Sequence, residues 1–502
     1  MNIKRAKQEI KDTVAAYLAK DEFGAYEIPS IRQRPMLLIG PPGIGKTQIM
    51  EQVAQECQIG LVAYTITHHT RQSAVGLPFI EHKQYGGKEY AVTEYTMSEI
   101  VASVYERMEQ SGMPEGILFI DEINCVSETL APTMLQFLQG KSFGNHKIPE
   151  GWIIVAAGNP PEYNKSVREF DIVTMDRIRR IDVEPDLTVW KDYAKTVGVH
   201  PAILSYLNVR PQNFCQIETT VDGKRFVTPR GWEDLSELIW IYEKQKRKMD
   251  RELVGEYLQF PKIAKDFANY LELYYKYRDD YQVEEVLKGH ISEAAVDKLQ
   301  RASFDERISV VSLLLSGLNE KFRNVIRMEE MMSLRMEEMK KLQNAENKTQ
   351  SLAETLETFA QQFQSEWMRR FENSLLSRAQ LRTYRAVSAK LEEDHLALLK
   401  SGRKDWEEGF ALLRERFGAD SDQYEALFDE AADALEHAFD FMEAAFAGSQ
   451  ELVLFVTELN TGAYSVRFLQ DYECERYYRY NRDLLFSEEE QEIEKLLEKR
   501  GN

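Results

Sequence analysis

Cysteine is scarce: four occur in 502 residues (Cys57, Cys125, Cys215 and Cys474), and none forms a CxxC pair. That scatter argues against a metal knuckle or a disulfide scaffold and suits a reducing cytoplasm. Long apolar runs are missing too, since no segment approaches the roughly 20 uninterrupted apolar residues of a membrane-spanning helix. The opening Met1-Asn2-Ile3-Lys4-Arg5 leads into mixed polar sequence without an apolar signal core, so a cytoplasmic location is expected. Positive charge is in deficit, with 63 Lys+Arg against 83 Asp+Glu and a net charge of −20. Residues 1–290 account for −6 of this (35 against 41) and the remainder for −14 (28 against 42). A chain this acidic repels a phosphate backbone, which argues against nucleic acid as its partner.

What is present is a globular composition, 43% hydrophobic and 29% charged, in a chain long enough for two or three domains. The first half alternates short β-rich runs (residues 36–39, 61–66, 117–120, 152–157 and 180–183) with helical patterns. Continuous apolar strands separated by helices predict a parallel sheet covered on both faces. From residue 186 to about 290 the pattern turns helical, apart from a hairpin near 215–227 with its turn at Asp222-Gly223. Beyond 290 glycine and proline nearly vanish. Leu318, Phe322 and Val325, then Leu352, Leu356, Phe359, Phe363, Trp367 and Phe371, recur at helical spacing. They predict the seam of a long coiled-coil hairpin or bundle, with a returning helix drawn from 405–446. The domains expected are therefore 1–185 (α/β), 186–290 (helical) and 291–502 (acidic, all-α).

Four elements carry chemistry. Gly40-Pro41-Pro42-Gly43-Ile44-Gly45-Lys46-Thr47 is a complete GxxxxGK[ST] phosphate loop between a strand and a helix. Its glycines let backbone N–H groups turn toward phosphate oxygens, Lys46 suits the β- and γ-phosphates, and the Thr47 hydroxyl suits Mg2+. Ile117-Leu118-Phe119-Ile120 ends in Asp121-Glu122, where Asp121 suits the Mg2+ shell and Glu122 the attacking water. The strand at 152–157 ends in Gly158-Asn159-Pro160, which puts an amide at the ligand edge of an open sheet. Thr228-Pro229-Arg230 opens a helix with Thr228 as N-cap, and Arg230 opposes the helix dipole unless an anion is near. His68-His69 lacks metal-ligand spacing. The methionines at 328, 331, 332, 336 and 339 read as filling of the helical seam, and the run 472–482 as a packed helix.

Together these elements resemble an AAA+ ATPase: Walker A at 40–47, Walker B at Asp121-Glu122, sensor 1 at Asn159 and sensor 2 at Arg230. Gly40-Pro41-Pro42-Gly43, Asp121-Glu122-Ile123-Asn124, Ala156-Ala157-Gly158-Asn159-Pro160 and Thr228-Pro229-Arg230 are most similar to the MoxR family. The resemblance covers about residues 30–290. It implies ATP and Mg2+ as cofactors, an α-helical lid, and a homo-oligomeric, typically hexameric ring with ATP between subunits. It also implies a helix-2 insert within 76–98, with Tyr85-Gly86-Gly87-Lys88 as a hairpin turn. An arginine finger corresponds to Arg177 in Asp176-Arg177-Ile178, with Arg179 and Arg180 close by. Family members act as chaperone-like remodellers beside a von Willebrand factor A domain partner. Two other readings stay open: a nucleic-acid-directed motor and a nucleotide-switched scaffold. The choice between ATP and GTP is open too.

Overall fold

The computed structural model describes residues 1–68, 74–163, 170, 172–220, 223–344, 351–403 and 405–482. The chain divides into two compact units, 1–189 with 365–381, and 190–364 with 382–502.

The first unit is built on β1 (Met36–Ile39), β2 (Gly60–Thr65), β5 (Gly116–Asp121), β8 (Trp152–Gly158) and β9 (Arg179–Asp182). They form one sheet in the order β2-β5-β8-β1-β9, and every pairing is parallel. The apolar runs do what a doubly covered sheet requires, because successive side chains face opposite sides. Met36, Leu38, Ile117, Phe119, Ile153 and Val155 face the helices Ile3–Tyr17 and Lys46–Cys57 through Ala6, Ile10, Val14, Ile49, Met50 and Val53. Leu37, Leu118, Ile120, Trp152, Ile154 and Ala156 face the helices Glu99–Ser111 and Ala131–Gly140. All seven residues of β8 are buried, which fits its place at the centre of the sheet.

Two hairpins interrupt this pattern. β3 (Pro78–Tyr85) and β4 (Lys88–Tyr95) pair antiparallel across Gly86-Gly87, both with positive φ, as a two-residue turn of this type demands. This is where the insert is expected, and its faces are largely exposed. β6 (Ser142–Phe143) and β7 (His146–Lys147) make a shorter one.

Among its described residues the second unit is helical apart from the hairpin of β10 (Gln216–Thr220) and β11 (Gly223–Val227). The expected turn residue Asp222 lies outside the described residues, as does His69. The helix Phe304–Gln343 runs 40 residues and packs against the returning helix Trp406–Phe446, which Asp405 caps. It also packs against the helices Pro201–Val209 and Pro261–Asp280, where the Tyr270 hydroxyl lies 2.5 Å from Ser205 Oγ and 2.9 Å from Ser309 Oγ. Residues on either side of 290 thus share one core.

The seam differs from expectation in two places. Leu352, Leu356, Phe363 and Trp367 are buried, but Phe371 is 46% exposed. Of the five methionines only Met331 is buried. The next positions on that face are Arg335 and Glu338, so the bundle interior there is charged rather than filled with methionine.

Candidate nucleotide site

Strand order brings the chemistry together. β5, β8 and β1 are neighbours, and the segments leaving their C-terminal ends carry Asp121-Glu122, Asn159 and the phosphate loop. Ile39 pairs with Gly158, so Asn159 emerges beside Gly40. The packing there leaves no room for side chains: a Cβ on Gly40 would lie 2.5 Å from the Val183 carbonyl oxygen. One on Gly158 would lie 2.5 Å from Asn124 Oδ1. Gly43 and Gly45 have φ of 75° and 92°, backbone that glycine adopts without strain.

Lys46 begins the helix after the loop and is 8% exposed. Its Nζ donates to the carbonyl oxygens of Gly40 (2.7 Å) and Pro41 (2.8 Å) and to Asn159 Oδ1 (3.0 Å). The Thr47 hydroxyl donates to Asp121 Oδ2 at 2.9 Å, which pairs two hard oxygen donors of the kind Mg2+ selects. Glu122 follows with a φ of 58°, a left-handed conformation uncommon for a residue with a side chain and typical of functional positions. Its carboxylate accepts from the Thr67 hydroxyl at 3.0 Å.

Two participants were not assigned roles from the sequence. Thr67 stands just past β2 and restrains the Glu122 carboxylate. Asn124, 5% exposed, donates to the Asn159 carbonyl oxygen (2.8 Å) and accepts from the Asn159 N–H (3.3 Å). Its place in the run Asp121-Glu122-Ile123-Asn124 was the available signal, but the pairing spans 35 residues.

The three candidate finger arginines differ in their partners. Arg179 donates to Thr13 and to Glu9 Oε2 (3.0 Å), and Arg180 to Asp182 Oδ1 (2.8 Å). Arg177 is exposed and donates to the neutral amide of Gln139. Arg230 belongs to the second unit, exposed in the first turn of the helix Pro229–Lys244, whose N-cap Thr228 accepts from the Gly231 N–H at 3.2 Å.

Comparison with known proteins agrees with this geometry. Residues 36–178 match the ATPase family associated with various cellular activities (AAA). An ATP-dependent zinc metalloprotease FtsH of Lancefieldella parvula is 30% identical over 219 residues, which cover 39% of this chain and 29% of that protein. The chain thus spans less than a third of that relative's length. The His-Glu-x-x-His pattern of zinc peptidases does not occur in this sequence. Among the described residues no group of three or more His, Cys, Asp or Glu could hold a metal ion, and no helix is long and apolar enough to cross a membrane. A covered parallel sheet, a phosphate loop leaving β1 and an acidic pair ending β5, with β8 between them, fall within or beside the matched segment: residues 36–178 are an AAA-type P-loop ATPase domain.

Proposed function

We propose that this protein hydrolyses ATP as a MoxR-like machine that remodels a protein partner, working as a homo-oligomeric ring. The observation that carries the hydrolytic part is the convergence of Lys46, Thr47, Asp121, Glu122 and Asn159 at one sheet edge. These residues fit Mg2+·ATP: Gly43 and Gly45 take the positive-φ backbone that a phosphate-cradling loop needs, and Thr47 and Asp121 offer paired oxygens. ATP bound there supplies a transferable phosphoryl group whose charge Mg2+ screens. Lys46 exchanges its carbonyl partners for phosphate oxygens, Thr47 and Asp121 hold the metal shell, and Asn159 keeps its amide toward the lysine. Glu122 orients and polarises the attacking water.

Arg177 is our candidate for the finger acting on a neighbouring subunit. Leaving a neutral amide costs less than leaving the carboxylates that hold Arg179 and Arg180. Arg230 serves as sensor 2, a cation whose place in the first helical turn a bound phosphate offsets. The MoxR reading rests on the motif set and on the exposed β3–β4 hairpin where the insert is expected, with Leu77, Phe79 and Ile80 open to a partner. A von Willebrand factor A domain protein is the partner class this reading favours.

The test is a pair of substitutions. Lys46→Ala removes ATP binding; Glu122→Gln binds ATP but hydrolyses it slowly. Glu122→Gln turning over at the parent rate refutes the assignment. Mixing Arg177→Ala with Lys46→Ala subunits restores activity only if the finger acts between subunits, because one interface then pairs an intact loop with an intact arginine.

A further inference from the structure

The second unit contains a cavity of about 230 Å³ whose lining runs against the charge of the whole chain. Lys195, Arg323, Arg327 and Arg382 line it, with Trp240 and Tyr464, and among the described residues no acidic one does. The chain carries −20 in all, so such a gathering is not what composition alone supplies. The four cations come from three separate helices, Leu187–Val197, Phe304–Gln343 and Arg378–Ser401, and tertiary packing alone assembles them.

Only part of this charge is neutralised within the fold. Lys195 pairs with Glu458 at 2.5 Å. Arg323 has Glu320 at 3.9 Å, and its Nε is buried without a hydrogen-bond partner. Arg327 makes no ion pair among the described residues. Its pKa is lowered, first by burial and then by the charges of Arg323 and Arg382, so these guanidiniums repel one another. Folded proteins retain such an arrangement when a bound anion offsets the repulsion. Arginine forks suit a phosphate group, which accepts several bonds at once. Trp240 is 41% exposed, and its indole N–H is already donated to the Gly198 carbonyl oxygen at 2.9 Å, so what it offers a ligand is its ring.

We propose that this cavity is a second anion site, distinct from the phosphate loop, which binds a phosphate group through Arg323, Arg327 and Arg382. The group is either a free oxyanion or the phosphate of a small nucleotide whose base lies against Trp240.

The test uses the full chain carrying Lys46→Ala, which silences the phosphate loop. Inorganic phosphate, pyrophosphate and AMP are titrated by calorimetry and thermal melting, with and without Arg327→Gln. We expect at least one of them to bind and to raise the melting temperature, and Arg327→Gln to weaken binding by about tenfold or more. Without ligand Arg327→Gln should melt at or above the parent temperature, because a repulsive charge has been removed. Pyrophosphate binding tightest identifies a free oxyanion; AMP binding tightest with tryptophan quenching identifies a nucleotide. The proposal is overturned if none of the three binds, or if Arg327→Gln binds them as well as the parent. A ligand-free Arg327→Gln that melts lower or fails to fold overturns it too, since that arginine is then a structural one.

Discussion

Replacing Asn124 with alanine isolates the contribution of one buried side chain to the nucleotide site. The carboxamide makes two hydrogen bonds with the Asn159 backbone, to its carbonyl oxygen at 2.8 Å and from its N–H at 3.3 Å. Truncation leaves both backbone groups without these partners at a part-buried position. At about 0.5–1.5 kcal/mol for each bond the loss comes to about 1–3 kcal/mol. In a unit of this size about 2–4 °C of melting temperature accompanies each kcal/mol, so the first unit should melt several degrees lower yet remain folded. The functional loss should exceed the structural one. Asn159 Oδ1 accepts from Lys46 Nζ at 3.0 Å, and a shift in its backbone moves that amide relative to the lysine. Misplacement of such a group costs on the order of 10–100-fold in turnover. The assay is steady-state ATP hydrolysis beside nucleotide affinity: kcat should fall by that factor while the Kd for ATP changes by about twofold or less. Equal losses in affinity and turnover, or an unchanged kcat with a lowered melting temperature, refute the idea that Asn124 positions Asn159 for catalysis.

Lys141, 6% exposed, donates to Gln33 Oε1 at 3.0 Å, and burial lowers its pKa from 10.5 to about 8. The native state disfavours its charged form, so the penalty is complete below pH 8 and is relieved as pH rises toward 10.5. The stability of Lys141→Met relative to the parent should therefore be greatest near neutral pH and should decline across that window; chemical denaturation at several pH values checks the slope, and a flat difference refutes it. In the bundle, Arg335 is 1% exposed and bonds Asp394 at 2.5 Å and also Asp420. Arg335→Ala removes the buried cation that Asp394 and Asp420 share, while Arg416 (2.7 Å) and Lys390 (3.0 Å) still pair with them, and should cost about 1–3 kcal/mol by urea unfolding, whereas an unchanged stability means that water already reaches the network. A chain ending at residue 301 removes Ser309, Val310, Val311 and Leu314 from the core shared with Tyr270, so the helices 201–280 should lose cooperative melting; their retention shows that they fold without the long helix.

How much of this was legible in the sequence depended on the range of the interaction. The strands β1, β5 and β8 were visible because each is a short apolar run whose burial on both faces needs no knowledge of its neighbours. The phosphate loop was visible because close approach of backbone to a ligand demands glycine at fixed spacing, and the β3–β4 turn because two adjacent residues with positive φ demand Gly86-Gly87. The helix start at Thr228-Pro229 was visible for the same local reason.

Tertiary structure decided whatever depends on residues far apart in the chain. Strand order set Asn159 beside Lys46, 113 positions away, and gave Asn124 its two bonds to Asn159. Three nearby arginines with the same sequence chemistry were told apart by partners as distant as Glu9, 170 positions away. Helical spacing marked Met328–Met339 as an inward stripe, yet packing against Asp394 and Asp420 turned Arg335 inward instead. The arginine cavity left no local trace, because a charge cluster drawn from three helices exists only once they are packed. Backbone conformation and apolar periodicity are properties of a few consecutive residues; electrostatic partnership belongs to the folded chain.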